Sequence, residues 1–324
     1  MTERTFILQS SPHFRDKDSV PKIMSAVLIS LFPAFLASLY FYRLRALGLL
    51  LSCVIPCLVT EALFLKLRKK SLHPLRDGSA IITGILLAMT LPPSLPLDSA
   101  AIGAVVAIAI GKQVFGGLGY NIFNPALVGR AFLQTAFPVA MTTWIAPVTL
   151  KIDTTTFATP LASLKFHNAV ALGTLTPLKD LFWGNIGGCL GETSAFALLL
   201  GGLFLLSRRV IDWRIPLGII LSLSAFTGFF WVTNPGKYAN PLFHVLAGGL
   251  LLGAIFMATD LVTSPIVSLA TWIYSLGIGF LVGLIRLFGG YPEGVMYSIL
   301  IMNAFVPLLN HYIRPRILGE RRKK

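Results

Sequence analysis

The sequence predicts an all-α polytopic membrane protein, with about ten transmembrane helices arranged as two inverted five-helix repeats. Three observations carry that reading. The 324 residues are 55% hydrophobic and only 12% charged, with a mean hydropathy of +0.77. Soluble domains carry roughly a quarter charged residues, so this chain has too little polar surface to hold a globule in water. Long apolar runs recur along it, and Lys and Arg gather in short clusters beside those runs.

Crossing about 30 Å of hydrocarbon takes around 20 apolar residues. Ten runs qualify: 23–42, 46–65, 79–95, 99–116, 121–138, 186–206, 215–233, 242–261, 268–286 and 294–312. Several are short or broken. The third ends in Pro92-Pro93, the fifth begins at Asn124-Pro125, and Pro265 follows the eighth. Broken helices at membrane depth imply that other protein or a watery cavity satisfies the freed backbone. The N-terminal residues are of mixed charge and lack an apolar core before a small-residue site, so no signal peptide is read there and the first span serves for insertion.

The net charge of +14 is distributed as a topology signal rather than as a nucleic-acid surface. Basic runs stand at Lys66–Lys70, Arg208-Arg209 and Arg321–Lys324. With the N-terminus inside, nineteen Lys and Arg fall on the cytoplasmic side and seven on the other. The positive-inside rule then places both termini in the cytoplasm. The domains read as 1–22, a cytoplasmic segment; 23–138, the first membrane repeat; 139–185, an outer-side loop; 186–312, the second repeat; and 313–324, a basic cytoplasmic tail.

The repeat itself shows in three matches. Gly84-Ile-Leu-Leu-Ala-Met-Thr90 pairs with Gly253-Ala-Ile-Phe-Met-Ala-Thr259 at an offset of 169, while Phe115-Gly116-Gly117 with Phe288-Gly289-Gly290 and Ala131-Phe132 with Ala304-Phe305 share an offset of 173. Five spans per half force the halves into opposite orientations, and sites in such proteins lie where the repeats meet.

Two acidic residues stand out in this setting. Glu192 falls about six residues into the sixth run, or about 9 Å at 1.5 Å per residue. Ionisable groups at membrane depth are costly and mark ion pathways; capping of a half-helix is the structural alternative. Asp260, at the end of the eighth run beside Thr263-Ser264-Pro265, has the same two readings. Arg130 and Lys112 read as structural partners or as snorkelling side chains. Cys53, Cys57 and Cys189 are too few for a disulfide framework, Cys53 and Cys57 read as small buried residues, and the five scattered His support no metal site.

The segment Asp153-Thr154-Thr155-Thr156-Phe157-Ala158-Thr159-Pro160-Leu161 resembles the flavinylation motif of the family that holds the Rnf D and Nqr B proteins, Asp-x-x-(Ser/Thr)-Gly-Ala-Thr. Phe157 departs from the family's Gly. Further elements of the resemblance are Ser11-Pro12-His13, the run from Phe115-Gly116-Gly117 to Asn124-Pro125-Ala126, Gly191-Glu192-Thr193-Ser194, and Met257–Asp260 with Val262–Pro265. Gly116, Gly117 and Gly119 read as points of close backbone approach, and Asn124-Pro125 as a break that exposes backbone groups to a cofactor.

The resemblance implies FMN joined to Thr159 through a phosphoester by a separate flavin transferase, with Asp153 and Thr156 as recognition residues. It also implies riboflavin as a second flavin, a multi-subunit Rnf-type complex of the bacterial inner membrane as partner, and electron transfer between ferredoxin and NAD coupled to movement of Na⁺ or H⁺. The flavin loop then lies on the periplasmic side, and Glu192 and Asp260 are candidates for the ion path. The rival reading is a stand-alone channel or secondary transporter on the same inverted-repeat scaffold, without flavin.

Overall fold

The computed structural model describes residues 19–147, 158–167, 169–170 and 172–313. Asp153, Thr156, Phe157, the Ser11–His13 element and both charged tails lie outside the described residues. Among the described residues every regular element is a helix. In order these are α1 (Val20–Tyr42), α2 (Leu44–Leu67), α3 (Ser79–Met89), α4 (Leu97–Ile108), α5 (Pro125–Ala136), α6 (Pro138–Thr142), α7 (Pro160–Phe166), α8 (Leu178–Trp183), α9 (Ala195–Ser207), α10 (Arg214–Thr233), α11 (Pro241–Leu246), α12 (Leu250–Leu252), α13 (Ser268–Phe288) and α14 (Val295–Tyr312).

Five of them are long and apolar enough to cross a membrane: α1, α2, α10, α13 and α14. Their exposed faces are apolar, unlike those of a soluble helix, and what few polar residues they carry within the span are mostly buried. On α2, Leu47, Leu51, Ile55, Val59 and Leu63 form an exposed stripe, while Cys53, Cys57, Thr60 and Glu61 are buried. Cys57 Sγ contacts Ala104 O at 3.6 Å, so the two cysteines on α2 fill a tight helix crossing, as small buried residues do.

The other predicted runs are shorter or interrupted, for reasons visible in their residues. Run 79–95 stops as α3 at Met89, before Pro92-Pro93. Run 99–116 is α4 followed by a π-helical turn, Ala109–Gln113. Run 242–261 breaks at Gly248-Gly249 into α11, α12 and a second π turn, Gly253–Met257. Run 186–206 becomes a helix only at Ala195, where Ser194 accepts the Ala197 N–H at 3.3 Å as N-cap. Glu192 therefore lies ahead of that helix rather than within it. The irregular backbone before α9 is satisfied by protein, as depth in lipid requires: Leu190 N–H donates to Leu91 O at 3.1 Å and Gly191 N–H to Met89 O at 2.7 Å.

One further reading changes. Gly116, Gly117 and Gly119 all have positive φ, and nothing approaches within 4 Å of a Cβ built on Gly119. These glycines serve a left-handed backbone path more than close packing. Asn124 spends its side chain on the protein: Oδ1 accepts the Ala126 N–H at 3.0 Å as N-cap of α5, and Nδ2 donates to Met257 O at 3.2 Å.

The packing follows a pattern. α2 lies against α3 and α4, α4 against α5, α10 against α11 and α13, and α13 against α14, while α1 meets α9. At one end of this bundle Lys112 is buried rather than snorkelling. Its Nζ sits 2.6 Å from Glu61 Oε1 and 2.6 Å from Ser79 Oγ, and Gln113 Nε2 donates to the same Glu61 oxygen at 3.1 Å. The π turn after α4 brings Lys112 and Gln113 together onto Glu61; such turns are frequent at functional sites.

Removing one partner of a buried ion pair leaves an uncompensated charge, at about 3–5 kcal/mol. Lys112→Met should therefore lower the thermal midpoint in detergent sharply, and Lys112→Met with Glu61→Gln should recover most of the loss. Equal midpoints for wild type and the single variant would show that the pair carries no stability.

Candidate functional site

The opposite end of the bundle is built around Thr159. The Ala-Thr-Pro sequence starts a helix for a simple reason: Pro160 is preorganised at the first helical position, and the Thr hydroxyl can cap it. Thr159 has extended backbone (φ −66°, ψ 154°), and its Oγ1 accepts the Ala162 N–H at 3.2 Å. It is 4% exposed.

The short helix α7 that follows is held by two anchors. Leu161 is buried among Leu181, Ile186, Phe243 and Ala247. Gly248, at φ +69°, makes room for it, since a Cβ there would stand 2.6 Å from Leu161 Cδ1. Lys165 is the second anchor. Its Nζ donates to Ile285 O and Arg286 O at 3.1 Å each and to Tyr291 O at 2.9 Å, placing a cation on carbonyls of the last turn of α13 and of the loop after it. Partial burial lowers the Lys165 pKa from its ordinary value. Arg286, in the last turn of α13, donates in turn to His244 O and Ala247 O across the α11–α12 break.

Beside this seat lies a buried charge cluster. Arg130, from α5, places Nη2 2.7 Å from Glu293 Oε2 and Nη1 3.7 Å from Glu192 Oε1. Arg130 Nη2 also lies 3.7 Å from Cys189 Sγ. Donor atoms of Cys189, Glu192 and Glu293 fall within 4.8 Å of one another, a spacing that suits a cation, and here the guanidinium approaches all three. Glu192 and Arg130 are both buried, and Glu192 Oε1 has no hydrogen-bond partner. Gly249 allows this placement: a Cβ would stand 2.7 Å from Glu192 Oε1. The turn between α1 and α2 closes over the same region, with Tyr42 Oη 3.4 Å from Gly188 O.

Two cavities meet here. One of about 610 Å³ is lined by aromatic and apolar side chains, among them Trp144, Phe166, Tyr291 and Tyr297, together with Arg130 and Glu293, and by Ala158 and Ala162 on either side of Thr159. The other, about 10 Å³, is lined by Thr159, Gly188, Glu192, Gly248 and Glu293, room for about one water-sized particle. Glu293 lines both.

Of the candidate residues, Thr159 and Glu192 are thus brought together, and Asp260 is not. Asp260 closes the turn after the second π segment, accepting from Thr263 Oγ1 at 3.1 Å. It lines a cavity of about 90 Å³ with Ser79, Lys112, Asn121 and Asn124. Glu61 lies 17 residues along α2 from Leu44, roughly 26 Å at 1.5 Å per residue, so the two charged groups occupy opposite ends of the bundle.

Two residues of these clusters are not singled out by the sequence reading, and a third is only half read. Glu61 carries a usable signal, a lone carboxylate within an apolar span. Arg130 reads as a structural partner, but Glu293, 163 residues further on, carries no signal as the residue it pairs with.

The family described as NQR2, RnfD, RnfE matches residues 7–319. The chain is 45% identical, over 98% of its length and 97% of the relative's, to the D subunit of the proton-translocating ferredoxin:NAD(+) oxidoreductase complex of Clostridium ljungdahlii. It is equally 45% identical, with the same coverage, to the D subunit of the Na(+)-translocating ferredoxin:NAD(+) oxidoreductase complex of Acetobacterium woodii. The D subunit of the ion-translocating oxidoreductase complex of Stutzerimonas stutzeri is 41% identical over 94% of this chain and 93% of its own.

Proposed function

The chain belongs to the NQR2, RnfD, RnfE family, and we propose that it is the D-type membrane component of a redox-driven ion pump, with FMN esterified to Thr159. The observation that carries this reading is the position of Thr159, whose neighbours Ala158 and Ala162 line an aromatic-walled cavity and which itself shares a small void with buried Glu192 and half-buried Glu293. About 610 Å³ falls within the range of ligand-sized cavities, and flat aromatic walls with one cation suit a planar, electron-accepting ring. FMN, when bound, supplies electron transfer, and attachment keeps it at one place in the complex. Arg130 presents positive charge to the cavity wall, Trp144, Tyr291 and Tyr297 exclude water, and the Leu161 anchor holds the acceptor segment. Riboflavin is proposed as a second, non-covalent flavin, with no residue assigned to it.

The ion path is proposed to run between the two ends of the bundle. Glu192, with one oxygen held only by a 3.7 Å ion pair to Arg130 beside a water-sized void, serves the end near Thr159, and Asp260 the other. Relatives of equal identity are named for different ions, H⁺ and Na⁺, so overall similarity does not select the ion; the groups around Glu192 and Asp260 would.

The proposed architecture is ten membrane segments in two inverted repeats. Its support is the parallel pattern of packing and the near-constant spacing of matching helices. The starts of α2 and α10, of α4 and α13, and of α5 and α14 lie 170, 171 and 170 residues apart. With both termini in the cytoplasm, as the basic clusters favour, the Thr159 end faces the periplasm and the Glu61–Lys112 end the cytoplasm. The partners are the other subunits of the complex and, during maturation, a flavin transferase, all in or at a bacterial inner membrane.

Co-expression with a flavin transferase should give in-gel fluorescence and a mass gain of FMN less water, both lost in Thr159→Val. Equal labelling of the two proteins would remove Thr159 as acceptor.

Glu192→Gln keeps size while removing the charge. It should leave flavin attachment and assembly intact but lower ion uptake per electron transferred in membrane vesicles. An unaltered ratio would exclude Glu192 from the path.

A further inference from the structure

The acceptor is shut in. Thr159 is buried, its hydroxyl is engaged as a cap on Ala162 N–H, and the void it lines holds about one water. A separate enzyme forming a bond at Thr159 Oγ1 needs that atom in its own active site, at contact distance and in line with the phosphorus. The seated conformation denies this: Thr159 is 4% exposed, and the void it lines is shared with Pro160, Leu161, Glu192, Gly248 and Glu293. What keeps the segment seated is the Leu161 anchor and the three carbonyls bound by Lys165.

We propose that Thr159 is modified only in a conformer in which α7 has left its seat, and that Lys165 is the latch that sets how often this happens. The inference rests on Thr159 being the flavin acceptor. In the open conformer the Thr159 hydroxyl attacks the flavin-side phosphorus of a flavin dinucleotide. The Oγ1–P bond forms, the pyrophosphate P–O bond breaks, AMP leaves with the bridging oxygen, and the hydroxyl proton passes to a base of the transferase. Re-docking of α7 must then turn the modified side chain away from the one-water void, which has no room for a phosphate, and toward the large cavity, whose wall already includes the neighbours Ala158 and Ala162. Modification before docking thus becomes the order of events, and the latch secures the product. Lys165 is a positioning residue here; it stands outside the lining of the large cavity.

Two rates test this, both on full-length purified protein lacking flavin. The first is labelling by transferase and flavin dinucleotide, read by in-gel fluorescence. The second is modification of Thr159→Cys by a hydrophilic maleimide, which needs no flavin chemistry. Leu172→Cys, at a position 68% exposed, serves as the open reference, and the buried native cysteines give the background. Thr159→Cys should react at least tenfold more slowly than Leu172→Cys. Lys165→Met, which removes three charge-assisted hydrogen bonds, should speed both labelling and thiol modification by about tenfold. Lys165→Arg, which keeps donors and charge, should restore most of the slow rates, so that general misfolding is told apart from unlatching.

A Thr159→Cys thiol as reactive as the reference would overturn the proposal while leaving Thr159 available as acceptor. Rates unchanged by Lys165→Met would overturn the latch. Absence of flavin from every variant, with thiol rates as expected, would instead sink the acceptor reading, and the order of maturation with it.

Discussion

A buried guanidinium holds the working end of this protein together. Arg130 sits among Glu192, Glu293 and Cys189, contributed by segments far apart in sequence. In surroundings of low polarity neither carboxylate could remain charged beside the other without a shared cation. Glu293 takes the close contact with the guanidinium at 2.7 Å, and Glu192 Oε1 is left at 3.7 Å, beyond hydrogen-bond reach. Glu192 is thus a carboxylate positioned by the fold but only loosely paired by it. Glu293 lines both the large cavity and the small void, so a change of charge in the first is felt at the carboxylates of the second through a few ångströms of protein.

The far end of the bundle repeats the theme with different residues. Glu61 and Lys112 form a tight pair, with Ser79 and Gln113 adding hydrogen bonds to it. Here one carboxylate faces one ammonium at 2.6 Å, although Glu61 Oε2, like Glu192 Oε1, has no hydrogen-bond partner among the described residues. Asp260 lies close by but spends its carboxylate on the turn it caps.

Much of the fold is legible in the sequence because lipid imposes a simple pattern. The runs that form α1, α2, α10, α13 and α14 need only length and apolarity to be read. The remaining runs can be located but not shaped. Apolar composition does not show that Gly248-Gly249 splits one of them, or that the residues before Ala195 stay irregular by bonding to Met89 and Leu91. Glu192 is found for a sound reason and placed wrongly for the same one: its depth is measured from a helix start that the Gly187–Gly191 segment delays. Thr159 comes from its resemblance to a motif, whereas its burial and the Lys165 latch depend on where α7 docks. Glu61 is within reach of sequence reasoning, being a lone carboxylate in α2. Glu293 is not, because its partner is 163 residues distant.

The central claim is that Arg130 is retained for the two carboxylates it holds. Unfolding of Arg130→Met in detergent, compared with Arg130→Met carrying Glu192→Gln and Glu293→Gln, measures this directly. The account predicts that the single variant loses about 3–5 kcal/mol and that neutralising both acids returns most of it. A single variant as stable as wild type, or a triple variant no better than the single, would contradict the account.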